Sequence, residues 1–258
     1  MHARDTNHGA PPEIVVQRNV CAAGGTVNSA AGAVVYDRRV SLAVDAVFIG
    51  QVVALAGLLA WRRPRWVGFG IAGWLALLAL LAHRGFFLGG AMPPRVALAL
   101  MLTLGVGLFL LPTHGMRHYL AVTTPAWLIY TQSFRIVMEL ILFALAVQRR
   151  APALITFQGR NADILIGLTA LPVAYFAVSR RSWPRRVATV WNVIGILVLA
   201  NVVLHAQLAA PGPYRFFMTD PSTAFLGTFP HIWLPGFLVP LAFWLHAASL
   251  LQLKLHRV

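Results

Sequence analysis

Residues 125–147 read PAWLIYTQSFRIVMELILFALAV, an apolar run with Arg135 and Glu139 one helical turn apart in its middle. About 20 apolar residues suffice to cross a bilayer as a helix, so this stretch predicts a transmembrane span. A lone charge at mid-depth costs about 2.5–3.5 kcal/mol even on the lenient insertion scale. The span therefore has to face a polar interior built by other helices. At 100° per residue, Gln132, Arg135 and Glu139 fall on one stripe. An ion pair within the helix would neutralise both charges. Arg before Glu is, however, the weaker order at this spacing, and Gln132 extends the stripe beyond what neutralisation needs. A second helix is expected to supply partners.

The rest of the chain agrees with that class. Of 258 residues, 59% are hydrophobic and 11% charged, and mean hydropathy is +0.72; a soluble domain carries about 25% charged residues. The net charge of +14 does not point to nucleic acid, because the arginines gather at the ends of apolar runs. Arg62, Arg63 and Arg65, Arg149 and Arg150, and Arg180, Arg181, Arg185 and Arg186 are such groups. They read as topology signals and as contacts for anionic headgroups. Cys21 is alone, which excludes an intramolecular disulfide and a cysteine metal cage.

The expected fold is an all-α membrane bundle of seven spans, near 41–61, 66–83, 96–112, 125–147, 163–179, 187–209 and 231–252. Residues 1–38 form a polar tail without hydrophobic period, expected to be disordered. Translation starting near Val35–Val40 would leave that tail out of the natural protein, and a native mass decides this. Residues 39–258 form the bundle domain. Gly89, Gly90, Pro93 and Pro94 mark a turn-rich connector. Thr124 is placed as an N-cap with Pro125 behind it. Pro235 and Pro240 predict a kinked last span. The balance of Lys and Arg narrowly favours a cytoplasmic C-terminus in a bacterial inner membrane.

Span five opens with Arg160, Asn161 and Asp163, where Asn161 caps and Asp163 favours the positive helix end. Span six carries Asn192 beside Ala188 and Gly195, with Asn201 and His205 opposite, so it is expected at the centre of the bundle. The candidate polar core is Gln132, Arg135, Glu139, Arg160, Asn161, Asp163, Asn192 and Asn201. No cofactor is expected. His83, His205 and His231, on one side with Asp45, Asp163 and Asp220, are the weak metal candidates, since neither HExxH nor an i,i+4 histidine pair occurs on any span. His114, His118 and His246 are assigned to the other side.

Gln132-Ser133-Phe134-Arg135 with Glu139, Thr156-Phe157-Gln158-Gly159-Arg160-Asn161 with Asp163-Ile164-Leu165, Trp191-Asn192 and Trp233-Leu234-Pro235 together resemble a group of uncharacterised bacterial seven-span membrane proteins. The resemblance covers roughly residues 84–250 and implies a seven-helix fold, without a reaction or substrate. Seven-span zinc hydrolases of the ceramidase and adiponectin-receptor type use His-x-x-x-His in the last span; here His231 and His246 are fifteen residues apart. Three functions fit these residues. The first is binding or translocation of a small polar or anionic solute, with Arg135 and Arg160 attracting it. The second is a structural or assembly role without ligand. The third is an intramembrane enzyme dependent on metal or haem. No nucleic acid is expected, and a protein partner is undefined.

Overall fold

The computed structural model describes residues 38–61, 63–88 and 94–255. The expected tail, Cys21, and Gly89, Gly90 and Pro93 lie outside them. Among the described residues the fold is all helical, without a strand. Helices α1 (Arg38–Ala60) and α2 (Arg65–His83) form a first pair, and α3 (Arg95–Leu110) follows. Next come α4 (His114–Val122), α5 (Pro125–Thr131) and α6 (Phe134–Val147). Helix α7 (Asp163–Pro172) continues as a π-helical stretch, Val173–Ser179. Helix α8 (Arg185–Leu208) precedes a π-helical turn, Leu234–Leu238, that leads into α9 (Val239–Leu255).

Five helical units are long and apolar enough to cross a membrane: α1, α2, α5 with α6, α8, and α9 with its π turn. Helices α3 and α4 make a sixth if their pair, bent by 77°, is one span. Helix α7 with its π stretch is a shorter apolar helix. The chain is thus built as a multi-pass membrane protein.

Burial explains why. Helix α1 buries Phe48, Val52 and Leu55 along one narrow stripe, while Val40, Val47, Val53 and Leu58 stay exposed. Outward apolar side chains on a helix that also buries an apolar stripe suit lipid, not water. Helix α8 does the same with Ala188, Trp191, Asn192, Gly195 and Leu199 inward and Val193, Ile194 and Leu197 outward. This corrects the expectation that α8 is central. The most buried span is α9, which packs against α3, α4, α5 and α8 and buries nine residues between Pro240 and Leu253.

Polar groups on the bundle's helices are matched to backbone that lacks partners. Pro240 has no N–H to donate, so the Gly236 carbonyl, four residues earlier, loses its helical bond. Trp74 Nε1 at 3.0 Å and Thr103 Oγ1 at 2.9 Å donate to it instead. Gln252 Nε2 donates to the carbonyls of Leu120 (2.7 Å) and Thr123 (2.6 Å), which closes the C-terminal end of α4. That helix lies between the expected spans 96–112 and 125–147, where no helix is expected. Thr124 is the N-cap residue of α5 with Pro125 behind it, but its side chain makes no capping bond.

Candidate functional site

Helices α5 and α6 meet at Gln132–Ser133, which interrupts the α-helical pattern just before Arg135. Gln132 uses this break to reach α9, donating Nε2 to the Ala242 carbonyl at 3.0 Å. On the far side of α6, Gly167 of α7 lies so close that a Cβ there would stand 2.9 Å from Ile136 Cγ1 and 3.4 Å from Arg135 Cβ. Glycine at 167 therefore lets α7 press against α6 at the level of Arg135.

This contact sets the depth at which α7 begins. Glu139 is eight residues short of the end of α6, about 12 Å along the helix, yet Asn161 donates from Nδ2 to Glu139 Oε1. The first residues of α7 are thus level with the middle of α6. Residues 148–162 turn back into the bundle to reach that level, burying Ala151, Ile155, Thr156 and Asn161. Gly159 makes the tight turn, because a Cβ there would meet the backbone of Ala153 and Leu154. Asn161 ties the segment together: Nδ2 also donates to the Ile155 carbonyl (3.0 Å), and Oδ1 accepts from Asp163 N (2.9 Å). It thereby holds the first helical N–H, although Ala162 is the N-cap residue.

Arg135, 1% exposed, does not pair with Glu139. Its Nε donates to Asp163 Oδ2 at 2.7 Å and its Nη2 to Asp163 Oδ1, a forked ion pair between two helices. Its Nη1 lies 2.9 Å from His246 Nε2. A guanidinium only donates, so His246 Nε2 accepts and the ring proton sits on Nδ1. That nitrogen is 2.9 Å from Asn192 Oδ1, and Asn192 Nδ2 donates to Ser249 Oγ (3.0 Å) and the Ala188 carbonyl (2.8 Å). One directed chain therefore runs from α6 through α9 to α8. Close packing supports it, since a methyl on Gly195 would overlap the His246 ring.

Of the residues singled out in the sequence, Gln132, Arg135, Glu139, Asn161, Asp163 and Asn192 come together here. Arg160 and Asn201 do not. Asn201 Nδ2 donates to the Arg160 carbonyl at 2.8 Å on an exposed flank, and the Arg160 guanidinium stands over the Phe217 ring. His246, expected toward the other membrane face, is fully buried midway along α9. With Ser249 it completes the network, and both were legible as a polar stripe, His246, Ser249 and Gln252, at helical spacing.

The metal candidates stay apart. His83 ends α2, and His205 bonds the Asn201 carbonyl and stacks on Phe217. His231 belongs to a second polar cluster, where Arg150 Nη2 donates to both oxygens of Asp45 at 2.8 Å. His231 Nε2 is 3.4 Å from Asp45 Oδ1. Among the described residues no group of three or more His, Cys, Asp and Glu could hold a metal ion. A cleft of about 450 Å³ lies elsewhere, lined by Thr124, Ser179, Arg181 and Arg185.

A family model described as a domain of unknown function, DUF8737, matches residues 95–254. The matched stretch holds every residue of the Arg135 network and begins after α1 and α2. No curated protein and no solved structure matches the chain.

Proposed function

The chain belongs to the DUF8737 family, and from that premise we propose that it binds and translocates a small polar or anionic solute through the polar centre of its bundle. The observation that carries this reading is where α7 begins. Its first residues and the forked Arg135–Asp163 pair lie inside the bundle, level with the middle of α6, rather than at its end. Non-helical backbone at such depth is tolerated where it is buried in protein or lines a polar cavity. Helix ends at mid-depth are a recurring way of building solute sites in transporters. Arg135 is the cation an anionic group would seek, and Asp163 is the carboxylate that group would replace.

The architectural role has one observation in its favour: Arg135 is already saturated by Asp163 and His246. In the reading proposed here the membrane is a bacterial inner membrane crossed seven times, with α3 and α7 as the shorter spans and the C-terminus cytoplasmic. The π turn with Pro235 and Pro240 makes the last span a bent and mobile one. Anionic headgroups occupy the cleft beside Arg181 and Arg185.

A thermal-shift screen of the purified protein against small carboxylates, phosphates and sulfonates tests the solute reading. A ligand at 100 times its Kd stabilises by about 2.7 kcal/mol. One class should raise the Tm of the wild type and fail to do so in the charge-exchanged double variant Arg135→Asp, Asp163→Arg. If no class shifts the Tm, and the exchanged variant is as stable as wild type, the pair is architectural.

A further inference from the structure

Counting charge around Arg135 leaves a remainder. Arg135 and Asp163 cancel. His246 accepts from Arg135 and presents its Nδ1 proton to Asn192, so it is neutral in this arrangement. Glu139 is a second carboxyl group in the same place, 1% exposed. Its Oε1 accepts from Asn161, and its Oε2 has no hydrogen-bond partner among the described residues. As a carboxylate it would leave one uncompensated negative charge buried within the bundle, a state that groups in apolar surroundings avoid by neutralising.

The neighbours supply no cation. Asp163 faces Glu139 from α7 and Arg135 from its own helix, the latter committed elsewhere. The turned-back segment turns the Asn161 amide and the Phe157 backbone N–H toward Glu139, while the Arg160 head lies over Phe217. From α1, Gln51 donates to the Phe134 carbonyl at 2.6 Å; from α9, His246 is turned to Arg135. Among the described residues Glu139 Oε2, Gln132 Oε1 and Gln51 Oε1 are buried oxygens without a hydrogen-bond partner, all of them acceptors. Surplus acceptors and surplus negative charge describe a cation site, and no cluster of three metal-ligating side chains is present among the described residues. The smallest cation remains.

We infer that Glu139 is a proton-carrying site, holding an exchangeable proton on Oε2 as a neutral carboxylic acid. On protonation the carboxylate takes a proton from hydronium and releases water; on deprotonation it returns that proton to water and regenerates the carboxylate. Coupling of this proton to solute movement rests on the solute reading above; the proton itself does not.

Infrared spectroscopy of the full protein in lipid nanodiscs, without solute, reads the carboxylic acid directly. The chain contains two glutamates, Glu13 and Glu139, so ¹³C-glutamate labels few groups. The expected result at neutral pH is a protonated-carboxyl carbonyl band that shifts with the label, shifts again in deuterated water, and is absent from Glu139→Gln. The labelled wild type gives the answer even if that variant does not fold. A band insensitive to the label, no band, or a band lost on adding sodium chloride overturns the inference, the last by making this a sodium site. A glutamate band without any stabilising solute keeps the proton site and sinks the carrier; a stabilising solute without the band does the reverse.

Discussion

Among the described residues two Arg–Asp ion pairs stand in very different surroundings, one a fork through Nε and Nη2 and the other a single Nη2 shared by both carboxylate oxygens. Arg135–Asp163 lies in the bundle centre, its side chains 1% and 13% exposed, whereas Arg150–Asp45 lies at its edge, at 27% and 23%. Ion pairs near water contribute little, because solvent already stabilises each charge and salt screens the attraction. A buried pair gains little on formation, yet losing one partner strands the other in a medium that cannot solvate it. The central pair is therefore the one whose loss the fold cannot absorb. The two differ in sequence placement as well: both central residues lie within the matched family stretch, while Asp45 lies on α1, ahead of it.

The largest effect is expected from Arg135→Ala, which leaves Asp163 and Glu139 facing each other without a cation. It should cost about 3–5 kcal/mol, read as loss of folded yield and a large drop in Tm in detergent. Arg150→Ala measured alongside is the control. Equal losses in the two variants would erase the distinction between centre and edge.

Gly195→Ala sharpens the comparison without touching a charge. The added methyl runs into the His246 ring, and overpacking of this kind costs about 1–3 kcal/mol. A wild-type Tm would show that the ring has room to move. Asn192→Ala removes the acceptor of His246 Nδ1 and the donor to Ser249, at about 1–3 kcal/mol for stranded buried groups. Ser249→Ala should cost less than Asn192→Ala, and the reverse order would mean that the chain does not run through Asn192.

The smallest effect is expected at the edge. Asp45→Asn should change stability by about 0–1 kcal/mol, and that difference should shrink as salt is raised. A loss comparable to that of Arg135→Ala would mean that α1 is held by this contact rather than by Phe48, Val52 and Leu55.

The polar stripe on α5 and α6 and the opening of α7 were legible because each is local: a charge in an apolar run has to find compensation nearby. His246 was missed for a related reason. Its depth depends on where the last span becomes helical, at Leu234 rather than at His231, and that places His246 midway along α9. The central place of α9 rather than α8 was also out of reach, since both carry polar residues within apolar spans, and lipid and protein interior select the same apolar side chains.

By itself the sequence determined that this is a helical membrane protein with a compensated charge inside it, because span length and the cost of burying Arg135 depend only on composition and spacing. Which group compensates that charge was decided by the tertiary structure. Local spacing offers Glu139, one turn away on the same helix. Gly167 lets α7 close on α6, and residues 148–162 carry Asn161 and Asp163 inward, so a carboxylate from another helix meets the guanidinium side-on, through Nε and Nη2, and forms the fork. Glu139 is left beside the Asn161 amide with its Oε2 unpartnered among the described residues, a result that no rule of sequence spacing contains.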